Sequence, residues 1–424
     1  MHNEEFTRHV TFMINKSVKV LIYPKSEANS ASVGFFLHTG ALNENRKQAG
    51  IAHVLEHMMF KSSRTYTTAQ ISQQLSQLGA NHNASTSWDQ TNYRATVPYN
   101  NLENMIRLYA DMLLHPLFRA DELKTEKGAI IQEINMYKNK YDILVRQLSW
   151  QGLYGVSTNN RLRSHDFLIG TEESVNAVTS EDLHTRHNKH APMTICIVGK
   201  VDVDRILKLL NDLFAKEWKG SAVSKDKCPP CETDSVTVHR ATDQCHICET
   251  IDMSGIQYPD DRAVALDVLA QIYGAIGNSR VYNEIREKRG LAYNAQAYAP
   301  MYSWGSQLIT YVGCDDKNKI MVQVILDDIQ HKLMDKRVPE RELEQAKNAL
   351  IGDALISSDD IPYMMLVSGS IFDRNHGLVH DPHRYANAIR SITASDVQEM
   401  AKAVFSDAPK CMARVDPYGK IGEK

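Results

Sequence analysis

Along this chain the apolar residues switch repeatedly between strand-like and helix-like spacing. The runs VKVLIYP (18–24) and ASVGFFLHTG (31–40) are short, apolar and rich in β-formers, and they predict strands. QISQQLSQLG (70–79) sets Ile71, Leu75 and Leu78 on one helical face, with Gly79 as its stop. NASTSWDQTNYRATVP (83–98) reads as one or two strands, and a helical stretch runs from about Asp121 past Gln147. The segment 179–199, TSEDLHTRHNKHAPMTICIVG, predicts a Thr-capped helix followed by a strand. Residues 393–417, TASDVQEMAKAVFSDAPKCMARVDP, repeat that order. Thr179 and Thr393 stand 214 positions apart, about half of the 424 residues, which points to an internal duplication. The polar stretch 219–235, broken by Pro229 and Pro230, is the expected linker. The expected class is α+β: two homologous α/β halves, residues 1–218 and 236–424, each a mixed sheet with helices on one face.

Composition narrows the function without naming it. Hydrophobic residues make up 43% and charged residues 23% of the chain, the balance of an ordinary globular protein. A net charge of −3 argues against nucleic acid or an anionic membrane surface as a partner. No apolar run is long enough to span a bilayer. The opening MHNEEFTRHV resembles neither a signal peptide nor an Arg-rich transit peptide. Seven cysteines are too few for a disulfide scaffold in a chain of this length, so the expected compartment is the reducing cytoplasm.

The densest chemistry lies in AHVLEHMMF (52–60). On a helix His53 and His57 share a face one turn apart, a spacing that suits two imidazole ligands of one zinc ion. Glu56 lies beside them as a candidate general base, while Val54, Leu55, Met58 and Met59 would anchor the helix in the core. The order H-x-x-E-H inverts the commoner H-E-x-x-H signature of zinc peptidases. A catalytic zinc needs a third protein ligand, and KTEKGAIIQEINMY (124–137) offers Glu126 and Glu133, seven apart on one face. For these carboxylates alone, a solvated helix face would be the simpler reading.

With these motifs together, the sequence resembles the pitrilysin family of zinc peptidases, and is most similar to its short-chain branch with the mitochondrial processing peptidases. The resemblance makes Glu133, 76 residues after His57, the third ligand, and Glu126 a carboxylate that supports the site from behind. It makes LGANHNASTSWDQTNYRATV (78–97) an edge strand beside the zinc, with Asn83 and Ala84 lining the bound substrate. It assigns Arg286 and Tyr293, seven apart in NSRVYNEIREKRGLAYNAQAY, to the substrate backbone and the developing oxyanion. The plain alternative for that segment is a charged helix stopped at Gly290. The likeness runs over nearly the whole chain, including DFLIGTEESV (166–175). It departs at Asn15-Lys16-Ser17, where the family has a glycine turn, and at GAIGNSR (274–280), where a glycine-rich run is reduced. It implies hydrolysis of unfolded peptides or presequence-like segments by one catalytic Zn2+ per subunit. It also implies a clamshell chamber formed by dimerisation, as a homodimer or as a heterodimer with a related subunit.

Two rival readings follow from the same chain. One is a catalytically silent or partner-dependent subunit of such a peptidase. The other is an interaction protein built on a structural zinc, because Cys228-x-x-Cys231 and Cys245-x-x-Cys248 have the spacing of a four-cysteine site. Against the second stands the strand-like setting of QCHICETI (244–251), since residues three apart on a strand face opposite ways.

Overall fold

The computed structural model describes residues 9–154, 168–220, 235–275, 277–375 and 377–418. The first sheet is built from β1 (Val10–Met13), β2 (Val18–Pro24), β3 (Ser30–Leu37), β4 (Asn81–Thr86), β5 (Thr91–Pro98) and β6 (Met193–Gly199). Its order is β1-β2-β6-β3-β5-β4, with β2 and β6 parallel and the other neighbours antiparallel. The second sheet contains β7 (Val236–Arg240), β8 (Gln244–Ser254), β9 (Ala292–Tyr298), β10 (Met301–Tyr302), β11 (Gly305–Asp315) and β12 (Lys410–Pro417). There β7 runs parallel to β12, and β12, β8, β11 and β9 follow as antiparallel neighbours. The sequence β7-β12-β8-β11-β9 thus repeats the order and sense of β2-β6-β3-β5-β4.

Local capping repeats as well. Thr179 and Thr393 both accept from the amide three residues on, and Asp182 and Asp396 reach back to the threonine amides. Each cap opens a helix that leads into the parallel strand of its sheet, β6 or β12. At the departure noted between β1 and β2, the carboxamide oxygen of Asn15 accepts from the amides of Ser17 and Val18, closing the turn that a glycine would otherwise make.

Helices cover the sheets more fully than the sequence pattern predicts. In the first half these include α1 (Ile51–Met58), α2 (Thr68–Gln77), α3 (Leu102–Leu114), α4 (Ala120–Lys138) and α5 (Tyr141–Tyr154). The long stretch expected past Gln147 is broken between α4 and α5 at Asn139 and Lys140, and the break sends α5 across to the second sheet. There Leu144 and Val145 pack with Cys248, Tyr311, Ala413 and Val415. In return the Ile361–Arg374 helix of the second half lies on the first sheet, where Met364, Met365 and Phe372 meet Leu21, Phe36 and Val198. The reason is apolar residues on both faces: along β3, Val33 and Phe35 face the helices of their own half, while Phe36 turns the other way. Helices on one face only was therefore too simple. Each sheet receives a visiting helix from the other half. Among the described residues no helix is long and apolar enough to cross a membrane.

Candidate metal centre

The helix α1 begins at Gly50, whose φ of +83° suits a residue without Cβ. A side chain there would also strike the carbonyl of Ile169. The buried carboxylate of Glu44 accepts from the amides of Gly50 and Ala52, both at 2.7 Å, and so caps the positive end of α1. Ile51, Val54, Leu55, Met58 and Met59 are buried and fix the rotation of the helix. His53, Glu56 and His57 are left on the side toward α4 and β4.

Across from them, α4 presents Glu126 and Glu133 on one face. The Nε2 atoms of His53 and His57 are 3.2 Å apart, and Glu133 Oε2 lies 3.6 Å from the first and 3.4 Å from the second. Zinc–ligand distances of about 2.0–2.2 Å in a tetrahedron separate ligand atoms by roughly 3.3–3.6 Å. The three atoms therefore already form one face of such a tetrahedron, and the fourth corner opens to a cavity. His57 Nδ1 is 2.9 Å from Glu126 Oε1, and Lys61 holds the other oxygen of that carboxylate at 2.5 Å. A carboxylate behind a histidine fixes the ring and leaves Nε2 to the ion. Tyr137, one turn beyond Glu133, hydrogen-bonds Glu133.

Electrostatics separate the two imidazoles. Burial, helped by the neighbouring imidazole, lowers His53 to about 4, so it stands as a neutral ligand. Burial also works against charge on His57, but hydrogen bonds from its ring to Glu126 and Glu133 outweigh it and raise His57 to about 9. The hydrogen bond from His57 draws Glu126 down to about 2. Two carboxylates thus face one imidazolium, an arrangement that suits a dication. Glu56 is raised by burial, the direction a general base requires, and Thr86 Oγ1 donates to its Oε2 at 2.5 Å.

The cavity beside these groups measures about 350 Å³ and is lined by Ala84, Ser85 and Thr86 of β4, Tyr137 of α4, Ile143 and Gln147 of α5, and Leu168 and Ile169, besides the site residues. β4 is the end strand of its sheet, so its outer edge is unpaired among the described residues. Ala84 lies in the cavity wall, and Asn83 is exposed beside it, its side chain accepting from the Ala84 amide at 2.8 Å. A larger cavity, about 580 Å³, lies among helices of the second half, away from the histidines. It contains none of the ligand atoms, so the chemistry belongs to the smaller one.

Arg286 and Tyr293 are not brought to this cavity within one chain; none of the residues lining it comes from the second half. Arg286 ends a π-type turn over Tyr282–Glu287, and Gly290 at φ +60° stops it. The Arg286 guanidinium sits 5.0 Å from the Tyr282 ring centre and 4.6 Å from that of Tyr293, and Tyr293 is 80% exposed. The pair is preassembled and faces outward.

The cysteine quartet needs correction. Cys228 and Cys231 lie outside the described residues. Cys245 and Cys248 both belong to β8, and their odd spacing turns them to opposite faces. Cys245 packs under the helices of the second half, stands opposite Cys314 on β11 and donates to Asp416 Oδ1 at 3.2 Å. Cys248 faces α5 and takes a bond from Ser149 at 3.3 Å. The two thiols cannot share an ion. Cys245, Asp316 and Asp416 do converge, but Lys319 already bridges both aspartates at 2.6 and 3.1 Å.

Thr86, Tyr137, Gln147 and Glu44 were not singled out from the sequence. Two of them carried a signal. Thr86 shares a strand face with Ala84 two residues earlier, and Tyr137 shares a helix face with Glu133 four residues earlier. Gln147 and Glu44 reach the site through the turn after α4 and the loop before α1, which no periodicity marks.

The chain is similar to known proteins over nearly its whole length. A zinc protease of Bacillus subtilis, named uncharacterized zinc protease YmxG, is 26% identical over 418 residues, covering 97% of this chain and 98% of the relative. The uncharacterized zinc protease ML0855 of Mycobacterium leprae is 28% identical over 393 residues, covering 89% of this chain and 85% of the relative. A protease from Helicobacter pylori shares the fold at a TM-score of 0.84 and 19% identity, with 97% of this chain and 99% of that chain covered. A Pseudomonas fluorescens structure described as peptidase M16 inactive domain superposes at 0.85 with 18% identity, over 98% of this chain and all of that one. Residues 19–163 match the family described as insulinase (peptidase family M16), and residues 177–350 match the peptidase M16 inactive domain. Residues 19–163 and 177–350 thus resemble the two domains of peptidase family M16, and the ligand triangle lies within the first match.

Proposed function

We propose that this protein is a zinc-dependent endopeptidase that cuts unfolded peptides or presequence-like segments, working as a two-fold dimer. One observation carries the reading: three ligand atoms spaced 3.2–3.6 Å apart beside a buried carboxylate and an open strand edge. His53, His57 and Glu133 would hold the ion. When bound, zinc supplies a Lewis acid and lowers the pKa of water to about 7. Glu56 accepts the proton of the attacking water and returns it to the leaving amine. The Thr86 hydroxyl orients the Glu56 carboxylate through one oxygen, leaving the other for the proton. The peptide adds to β4 through its main chain, which gives affinity with little sequence preference. Asn83 and Ala84 line its path.

The Arg286–Tyr293 pair, too far out to serve its own chain's cavity, would be supplied by the partner. Its guanidinium and phenol are donors suited to a developing oxyanion. A two-fold dimer builds both sites alike. The matched sheets and capping boxes support two duplicated halves, divided at the linker 219–235, which close as a clamshell when chains pair. The buried thiols of Cys196, Cys245, Cys248 and Cys314 support a reducing compartment, the cytoplasm.

Subunit mixing tests this directly. Glu56→Gln and Arg286→Ala should each be inactive as homodimers. In a mixed dimer one site receives both lesions and the other neither. Random pairing should restore about a quarter of wild-type activity. A mixture still dead after exchange is shown would favour a heterodimer with a related, catalytic or silent, subunit.

A further inference from the structure

We infer that Gln147 is a substrate-binding residue of the peptidase site, its side-chain amide donating to a main-chain carbonyl of the bound peptide. The inference rests on the peptidase reading and adds the far wall of the cleft to it.

Two features of Gln147 point the same way. Its Nε2 is shielded from solvent and has no hydrogen-bond partner, although the residue lines the cavity that holds His53, Glu56 and Glu133. Buried amide donors are seldom left unpaired, and those that are call for an explanation. The neighbouring polar groups are committed: Thr86 to Glu56, Tyr137 to Glu133, and Ser85 to Asn92 and Arg94. Ile143, one turn before Gln147 on α5, lines the same cavity with Leu168 and Ile169. The wall opposite β4 is thus apolar, with Gln147 as its unpaired donor.

A strand that adds to β4 satisfies only one of its own edges there. The carbonyls of its other edge must find donors or water. Gln147 supplies a donor on the α5 side, where Ile143 and Leu168 exclude water. The placement also has a structural consequence. α5 packs its other face on the second sheet, so the residue that grips the far edge of the peptide is carried by the helix that joins the two halves.

The test is steady-state cleavage of a peptide taken from a random library, with wild type, Gln147→Leu and Gln147→Glu, and zinc content measured on each. Leu removes the donor at similar size; Glu sets an acceptor against the carbonyl. KM should rise on the order of tenfold for Leu, one net hydrogen bond, and further for Glu. kcat should stay within about threefold and zinc content should not change. Wild-type KM in both variants, or a fall confined to kcat, would overturn the assignment. If wild type cleaves no peptide in a chelator-sensitive way, the peptidase reading itself fails and takes this inference with it. Chelator-sensitive cleavage with unaltered Gln147 kinetics sinks the inference alone.

Discussion

Arg374 grips Asp89 with two nitrogens, at 2.8 and 2.9 Å, across the boundary between the halves. Asp89 is fully buried and also accepts from the Ser303 amide and the Ser87 hydroxyl. It lies in the β4–β5 turn, three residues after Thr86. Its neighbour Asp373 accepts from Gln90 of the same turn at 2.7 Å. The end of the visiting helix therefore pins the hairpin whose first strand is the open edge beside Glu56.

Removing one partner of that pair should be costly, because it strands a charge that cannot reach water. Burial alone would raise the Asp89 carboxyl, and Arg374 overcomes it to hold it below its usual range. Arg374→Met should cost about 3–5 kcal/mol of unfolding free energy. The double variant with Asp89→Leu should recover most of that. Urea denaturation of wild type, Arg374→Met, Asp89→Leu and the double variant measures it, and a loss below about 1 kcal/mol for Arg374→Met would show that the pair is not a structural tie.

Tyr293 should act through its hydroxyl alone. Tyr293→Phe keeps the ring that Arg286 stacks on and removes the proposed oxyanion donor. kcat should fall by on the order of 10² to 10³, with zinc content and melting temperature unchanged. An unaltered kcat would leave Tyr293 as a surface residue.

The second half contains a pH-sensitive group apart from the metal centre. Burial raises Asp267 to about 6, only partly opposed by the hydroxyl of Tyr385 at 2.6 Å. Its folded pKa exceeds the unfolded one, so the folded state binds the extra proton. Stability is greatest below about pH 4 on this account and falls as pH rises through 6, by up to about 3 kcal/mol. Asp267→Asn keeps an acceptor for Tyr385 and should flatten that part of the profile. Thermal melts of both proteins between pH 4 and 7 compare the slopes. Parallel slopes would exclude Asp267 as the source.

Much of this arrangement was legible because it is local. Two histidines and a glutamate within one helix turn, two glutamates seven apart, and Gly79 as the stop after α2 all follow from helix period and capping. What escaped depends on where the chain turns. Asn139 and Lys140 break a run that looks continuous, and that break carries Gln147 to the cavity beside His53 and Leu144 to the second sheet. Both faces of β3 are apolar, but periodicity cannot say that a helix beginning at Ile361, far along the chain, covers one of them. Cys245-x-x-Cys248 has the spacing of a ligand knuckle, but its strand setting, already visible in QCHICETI, separates the two thiols.

Zinc content measured beside peptidase activity in Glu56→Gln and Glu133→Gln tests the central claim most directly. Glu56 lies off the ligand triangle and is the proposed proton carrier, so Glu56→Gln should retain wild-type zinc and lose nearly all cleavage. Glu133 completes the triangle, so Glu133→Gln should lose zinc and cleavage together. Equal zinc loss in both variants, or cleavage that survives in Glu56→Gln, would contradict the assignment of two histidines and Glu133 as ligands and Glu56 as base.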